Sequence, residues 1–193
     1  MVYMFSSKNG EVHHQFPVKG DGKRRVFSAM IVDSKRKVVI MGTRMPKGSY
    51  LLDVYENDGQ FVCSFGEGLL RTARDLALAT DDRVVVLNDR CVHMFSEHGD
   101  HLSEFKLSTC LLSTRGIAFH HSSEHVVVAY DTYDNVYLHI YTKDGELLRG
   151  SKAHVKGISP YGRGMIVTAD GHVALLSDFR FPDSPAGRVF MLC

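Results

Sequence analysis

The chain has 193 residues, of which 44% are hydrophobic and 23% charged, with a formal net charge of +1. That composition specifies a packed core in one domain of ordinary size, residues 1–193, and excludes a disordered chain. No apolar run approaches the ~18 residues of a membrane span, and the first ten residues lack a signal-peptide pattern. Cys63, Cys91, Cys110 and Cys193 have no C-x-x-C spacing, so free thiols in a reducing, cytoplasmic compartment are expected.

The chain opens on Val2-Tyr3-Met4-Phe5, a turn ending at Gly10, and Glu11 to Phe16. Four-strand units follow. Their first strands begin at Met30, Leu76, Ile117 and Met165, at spacings of 46, 41 and 48 residues. Second strands are Val38 to Met41, Val84 to Leu87, Val126 to Ala129 and Val173 to Leu176. Third strands are Leu51 to Tyr55, Cys91 to Phe95, Val136 to Tyr141 and Arg188 to Leu192, and fourth strands are Gln60 to Phe65, Asp100 to Phe105 and Glu146 to Leu148. The turn between strands three and four ends at Gly10, Gly59, Gly99 and Gly145, because a hairpin needs a residue tolerant of positive φ there.

Short strands in a period of roughly 40–50 residues predict an all-β fold, a β-propeller of four-stranded antiparallel blades. One such sheet cannot bury both faces alone, whereas sheets packed radially can. A β-sandwich is the alternative. The blade units are 1–16 (partial), 28–65, 74–105, 115–148 and 163–193 (partial). About four blades are present, which points to a segment of a six-bladed ring; a self-closed four-bladed ring is the alternative.

Charge is unevenly placed. The loops 17–28, 66–74, 106–115 and 149–163 join successive units and hold twelve basic residues against two acidic ones. The basic residues include Lys23, Arg24, Arg25, Arg71, Lys152 and Lys156. Arg74, Arg115 and Arg163 each stand two positions before the first core residue of a strand one, which predicts a partial ring at the channel mouth, with Tyr161 beside it. Guanidinium groups and an aromatic suit phosphate, carboxylate or stacked bases.

Other candidates are weaker. His13-His14 and His120-His121 are adjacent in sequence and point to opposite faces of a strand, so neither is a natural chelate. His120, His121 and His125 fall in one turn and are read as solvated. Asp81-Asp82 reads as turn chemistry. No P-loop, Rossmann fingerprint or nucleophile elbow occurs. No metal, cofactor or small-molecule substrate is expected.

The units resemble the NHL repeat. The resemblance rests on Arg115-Gly116-Ile117-Ala118-Phe119, on Val84 to Phe95, and on Tyr55 to Phe61 with its Asp58-Gly59. It implies a propeller like that at the C-terminus of tripartite-motif proteins, where such domains recognise RNA or protein partners and an upstream RING supplies ubiquitin-ligase activity. The expectation is therefore a non-catalytic recognition module. Its partner would be RNA or an acidic protein surface, with ubiquitination reached only through upstream domains or a partner. A protein–protein scaffold and a metal-dependent propeller enzyme are the alternatives. The enzyme reading is set aside because a cation site ringed by arginines is electrostatically unfavourable.

Overall fold

A computed structural model describes residues 1–18, 25–35, 37–44, 48–108, 113–132, 135–154, 164–177 and 188–192. They form 17 strands, with no helix among the described residues. The chain divides into two units, Met1–Arg71 and Thr72–Cys193.

In the first unit, β1 (Val2–Phe5) and β2 (Val12–Phe16) form a two-stranded sheet. β3 (Arg25–Val32), β4 (Val38–Arg44), β5 (Ser49–Tyr55) and β6 (Phe61–Phe65) form an antiparallel meander. Val2, Phe16, Val38, Ile40 and Tyr55 make a common core across the two sheets. Each such side chain contributes ~1.5–3 kcal/mol by leaving water.

In the second unit, β7 (Ala73–Leu78), β8 (Val84–Asn88), β9 (Cys91–Phe95) and β10 (His101–Lys106) form one meander. A second comprises β11 (Ser113–His120), β12 (His125–Thr132), β13 (Asn135–Tyr141) and β14 (Leu147–His154). β15 (Met165–Val167), β16 (Val173–Ser177) and β17 (Arg188–Leu192) form a three-stranded sheet. Val85, Leu87, Val92 and Met94 meet Ile117, Phe119, Val126 and Val128 in one core, so the meanders stack face to face.

Two irregularities repeat. The first strand of each meander carries a bulge at Ser28, Arg74 or Arg115, where the register skips one residue. The fourth strand carries another just after its turn, at Val62, Leu102 or Leu148, and β2 has the same at His13. Gly10, Gly59, Gly99 and Gly145 all have positive φ, as the turn chemistry requires.

One joint between neighbouring sheets occurs in both units. Phe16 stacks on Tyr55 with ring centroids 5.7 Å apart, and a Cβ on Gly59 would lie 2.4 Å from Phe16. Phe105 stacks on Tyr141 at 5.6 Å, and a Cβ on Gly145 would lie 2.4 Å from Phe105. The glycine supplies the turn conformation and also the space for the neighbour's ring.

Candidate functional site

The inner strands of the second unit meet at the end where Arg74 and Arg115 sit. A Cβ on Gly116 would be 3.0 Å from Met165 Cβ and 3.2 Å from Asp75 Oδ2, so its absence lets β7, β11 and β15 close together. The Ile117 N–H donates to Asp75 Oδ2 at 3.0 Å and ties β11 to β7. The Thr114 hydroxyl donates to the Asp89 carbonyl at 3.2 Å.

Arg74 and Arg115 occupy equivalent bulges, as their spacing implies, yet their surroundings differ. Arg74 is exposed. Arg115 is paired with Asp131 on β12, with side-chain exposures of 16% and 5%. Its charge is spent inside the protein, so Arg115 adds no bare charge to the mouth. Its Nε is buried with no acceptor among the described residues. Arg71 is exposed.

The structure moves several residues from loops to strands. Lys152 lies on β14 opposite Tyr137, with its Nζ 5.7 Å from that ring's centroid. Arg25 lies on β3 opposite Arg44. Arg74, Lys106, Arg115 and Arg149 are also strand residues. The ladders run past the apolar stretches because backbone pairing continues beyond the apolar core: on the inner strands β3, β7 and β11 as well as on the outer strands β10 and β14. The register puts Arg25, Arg74, Lys106, Arg115 and Lys152 at the same end of their own sheets, while Arg149, opposite Ile140, lies near the other end. One row runs Thr114, Tyr130, Tyr137, Lys152 and another Ala73, Asn88, Cys91, Lys106. Lys23, Arg24, Lys156, Tyr161 and Arg163 lie outside the described residues.

Asp82 has φ 61° and its N–H donates to the Ala79 carbonyl, while Asp81 pairs with Arg83 at 2.7 Å; the dyad is a turn. His120 is held by Ser123 and Ser122 at 2.6 and 3.1 Å, and its neighbour His121 lies 3.5 Å from Thr80 Oγ1. Both border a cleft of about 390 Å³.

Sequence reasoning missed a third-strand station that is polar and buried in two meanders, at Asp53 and His93. His93 pairs directly with Glu104 across β9 and β10. Its Nδ1 lies 3.2 Å from His101 Nε2 and 3.4 Å from Glu104 Oε2. Its Nε2 lies 3.1 Å from Asn88 Nδ2, whose amide oxygen accepts from the Thr72 N–H at 3.0 Å. Asn88 therefore donates to Nε2, which leaves the ring proton on Nδ1. Burial, ahead of the opposing Glu104 charge, holds the His93 pKa below its ordinary value.

No family model matches the chain, and no curated protein does. Solved structures do. A streptogramin B lyase aligns with TM-score 0.61 and 10% identity over 97% of this chain and 60% of its own. A catalytically inactive virginiamycin B lyase from Staphylococcus aureus, with quinupristin, aligns with TM-score 0.57 and 13% identity over 88% and 57%. A calcium-binding protein, regucalcin, from Agrobacterium tumefaciens aligns with TM-score 0.64 and 10% identity over 94% and 63%. The chain thus spans about three-fifths of the length of these proteins.

These alignments correct the expectation of a non-catalytic module. A lyase shares the arrangement of sheets, so this architecture does not mark a protein without chemistry. The premise that set the enzyme aside also weakens, because Arg115 is neutralised by Asp131. At 10–13% identity the likeness fixes the fold alone: the chain is built of the four-stranded antiparallel blades of a β-propeller.

Proposed function

We propose that the protein is a recognition propeller that engages an anionic partner, single-stranded RNA or an acidic protein surface, across the basic end of its blades. The NHL likeness motivates the finer part of this reading, in which the partner is presented to ubiquitin ligation through further domains or a bound ligase. The observation that carries it is Arg74, an exposed guanidinium on a bulged inner strand. Arg71 stands exposed three residues earlier, and Lys106 ends the adjacent row. Lys152 over Tyr137 adds a cation beside an aromatic face.

The test is anisotropy of a labelled single-stranded RNA pool at two salt concentrations, with wild type and an Arg71→Glu/Arg74→Glu variant checked for folding by circular dichroism. Phosphate contacts lose affinity steeply with salt, so salt-sensitive binding lost in the variant supports RNA. Absence of RNA binding by folded wild type moves the reading to an acidic protein surface.

A second reading, a propeller lyase, is favoured by the shared fold and by the charged set Asp75, Arg115 and Asp131 at the inner-strand end. Incubation with quinupristin followed by chromatography and fragment-ion mass spectrometry tests it. Turnover by wild type that is lost in Asp75→Ala supports it, and no turnover ends it.

A further inference from the structure

We propose that His93, His101 and Glu104 form a binding site for a divalent transition metal of the zinc class, on the outer strands of the β7–β10 blade. The three donor atoms lie within 4.8 Å of one another. Two of the separations, 3.2 and 3.4 Å, are edges of a tetrahedron around a cation: ligands held ~2.0–2.1 Å from zinc in tetrahedral geometry stand about 3.4 Å apart. Two imidazoles and one carboxylate suit zinc, cobalt or nickel and disfavour calcium, which takes oxygen donors. His101 and Glu104 are exposed, so the fourth position is open to water.

The backbone assembles the set by a bulge. His93 and Phe95 share a face of β9, and they pair with Glu104 and His101. Residues three apart on a regular strand point to opposite faces. The skip at Leu102 brings both His101 and Glu104 onto the His93 face.

Loading requires a defined change. Nδ1 must give up its proton, which moves the ring to its Nε2–H tautomer. The Asn88 amide then turns so that its oxygen accepts from Nε2, releasing its bond from the Thr72 N–H. The His93 proton is relocated from Nδ1 to Nε2 rather than released, and Asn88 is a positioning residue. Asn88→Asp removes the conflict: one carboxylate oxygen keeps the Thr72 bond and the other accepts from Nε2–H. Carboxylate–histidine–metal arrangements of this kind change affinity by about 10–100-fold.

The experiment is calorimetric titration of the chelator-stripped full chain with Zn²⁺ at pH 7.5, with Co²⁺ absorption reporting the geometry. Wild type is expected to bind one equivalent with tetrahedral Co²⁺ bands. His101→Ala and Glu104→Gln, both at exposed positions and so compatible with folding, should each weaken binding about tenfold or more. Asn88→Asp should tighten it by about the same factor. A His120→Ala/His121→Ala protein should bind as wild type. Absence of saturable binding, unchanged affinity in His101→Ala and Glu104→Gln, or no gain in Asn88→Asp overturns the assignment.

Discussion

His93 and His139 occupy the same station in adjacent blades. The rows across the sheets are Leu76, Val86, His93, Glu104 and Ile117, Val128, His139, Gly150. The residues around them decide their roles. Where one blade has Asn88, Phe95, His101 and Glu104, the other has Tyr130, Tyr141, Leu147 and Gly150. His139 lies with its ring centroid 4.9 Å from that of Tyr130, and its Nδ1 is 3.2 Å from the Tyr141 hydroxyl. A Cβ on Gly150 would come within 3.3 Å of the His139 ring, so the glycine makes room for it. One imidazole belongs to a donor cluster and the other, half-buried, to an aromatic cluster with Tyr130 and Tyr141. The backbone supplies the station, and the facing strand supplies its chemistry.

The largest expected effect comes from breaking the aromatic side of the comparison. The Tyr141 hydroxyl meets Tyr130 at 2.9 Å, Ser108 Oγ at 3.0 Å and His139, and its ring stacks on Phe105. Tyr141→Leu loses the stack and strands several polar groups, and is expected to cost about 3 kcal/mol or more. Phe95→Leu, at the equivalent position without a hydroxyl, is expected to cost about 1 kcal/mol. Urea unfolding midpoints of the two variants measure the difference. Equal costs would show that the hydroxyl network adds nothing.

A smaller effect is pH dependence. Burial holds the His139 pKa below its ordinary value of 6.5, so the folded protein keeps this ring neutral while the unfolded chain takes up a proton. The contribution to stability is whole above the unfolded value and is lost as pH falls below 6.5 toward the folded value. His139→Gln cannot titrate, so the fall in urea midpoint between pH 7.5 and pH 5.5 should be shallower than in wild type. An unchanged slope would remove His139 from the acid limb.

The smallest effect sharpens the other side. Glu104 is exposed, so Glu104→Gln in the presence of chelator should change stability by no more than about 0.5 kcal/mol. The same substitution should reduce the rise in melting temperature caused by a fixed concentration of Zn²⁺ in wild type.

The strands were legible because apolar runs alternate with Gly, Asn and Asp turns. Every stretch read as a strand coincides with one of β1 to β17, with Glu11, Gln60, Asp100 and Glu146 each one residue ahead of its strand. Bulges were not legible, because nothing in composition marks the skipped residue. On a regular strand His101 and Glu104, three apart, would lie on opposite faces, so their spacing alone does not mark a cluster. A signal was present: His93 and Glu104 flank the turn at Gly99 at similar distances. The partner of Arg115 was hidden for a related reason. Asp131 follows the apolar core of its strand and reads as a loop acid, yet the ladder continues and pairs it with Ser113 beside Arg115. The excess of basic residues was legible as charge, while which arginine spends its charge internally depends on pairing that spacing does not encode.

The bulges that follow each turn have a consequence for how copies of the chain meet one another. Val62, Leu102 and Leu148 interrupt the outermost strand of each meander, the one whose far side has no partner in its sheet. An unpaired edge is a template on which another chain can add a strand. Here an incoming strand would start in step at the turn and lose registry within two residues. β14 is exposed along nearly its whole length, with Leu147 and Leu148 at 42% and 47%. There the interruption falls beside the stickiest pair of side chains, with Arg149 and Lys152 just beyond it. The kink that brings His101 and Glu104 together in one blade guards the next against polymerisation.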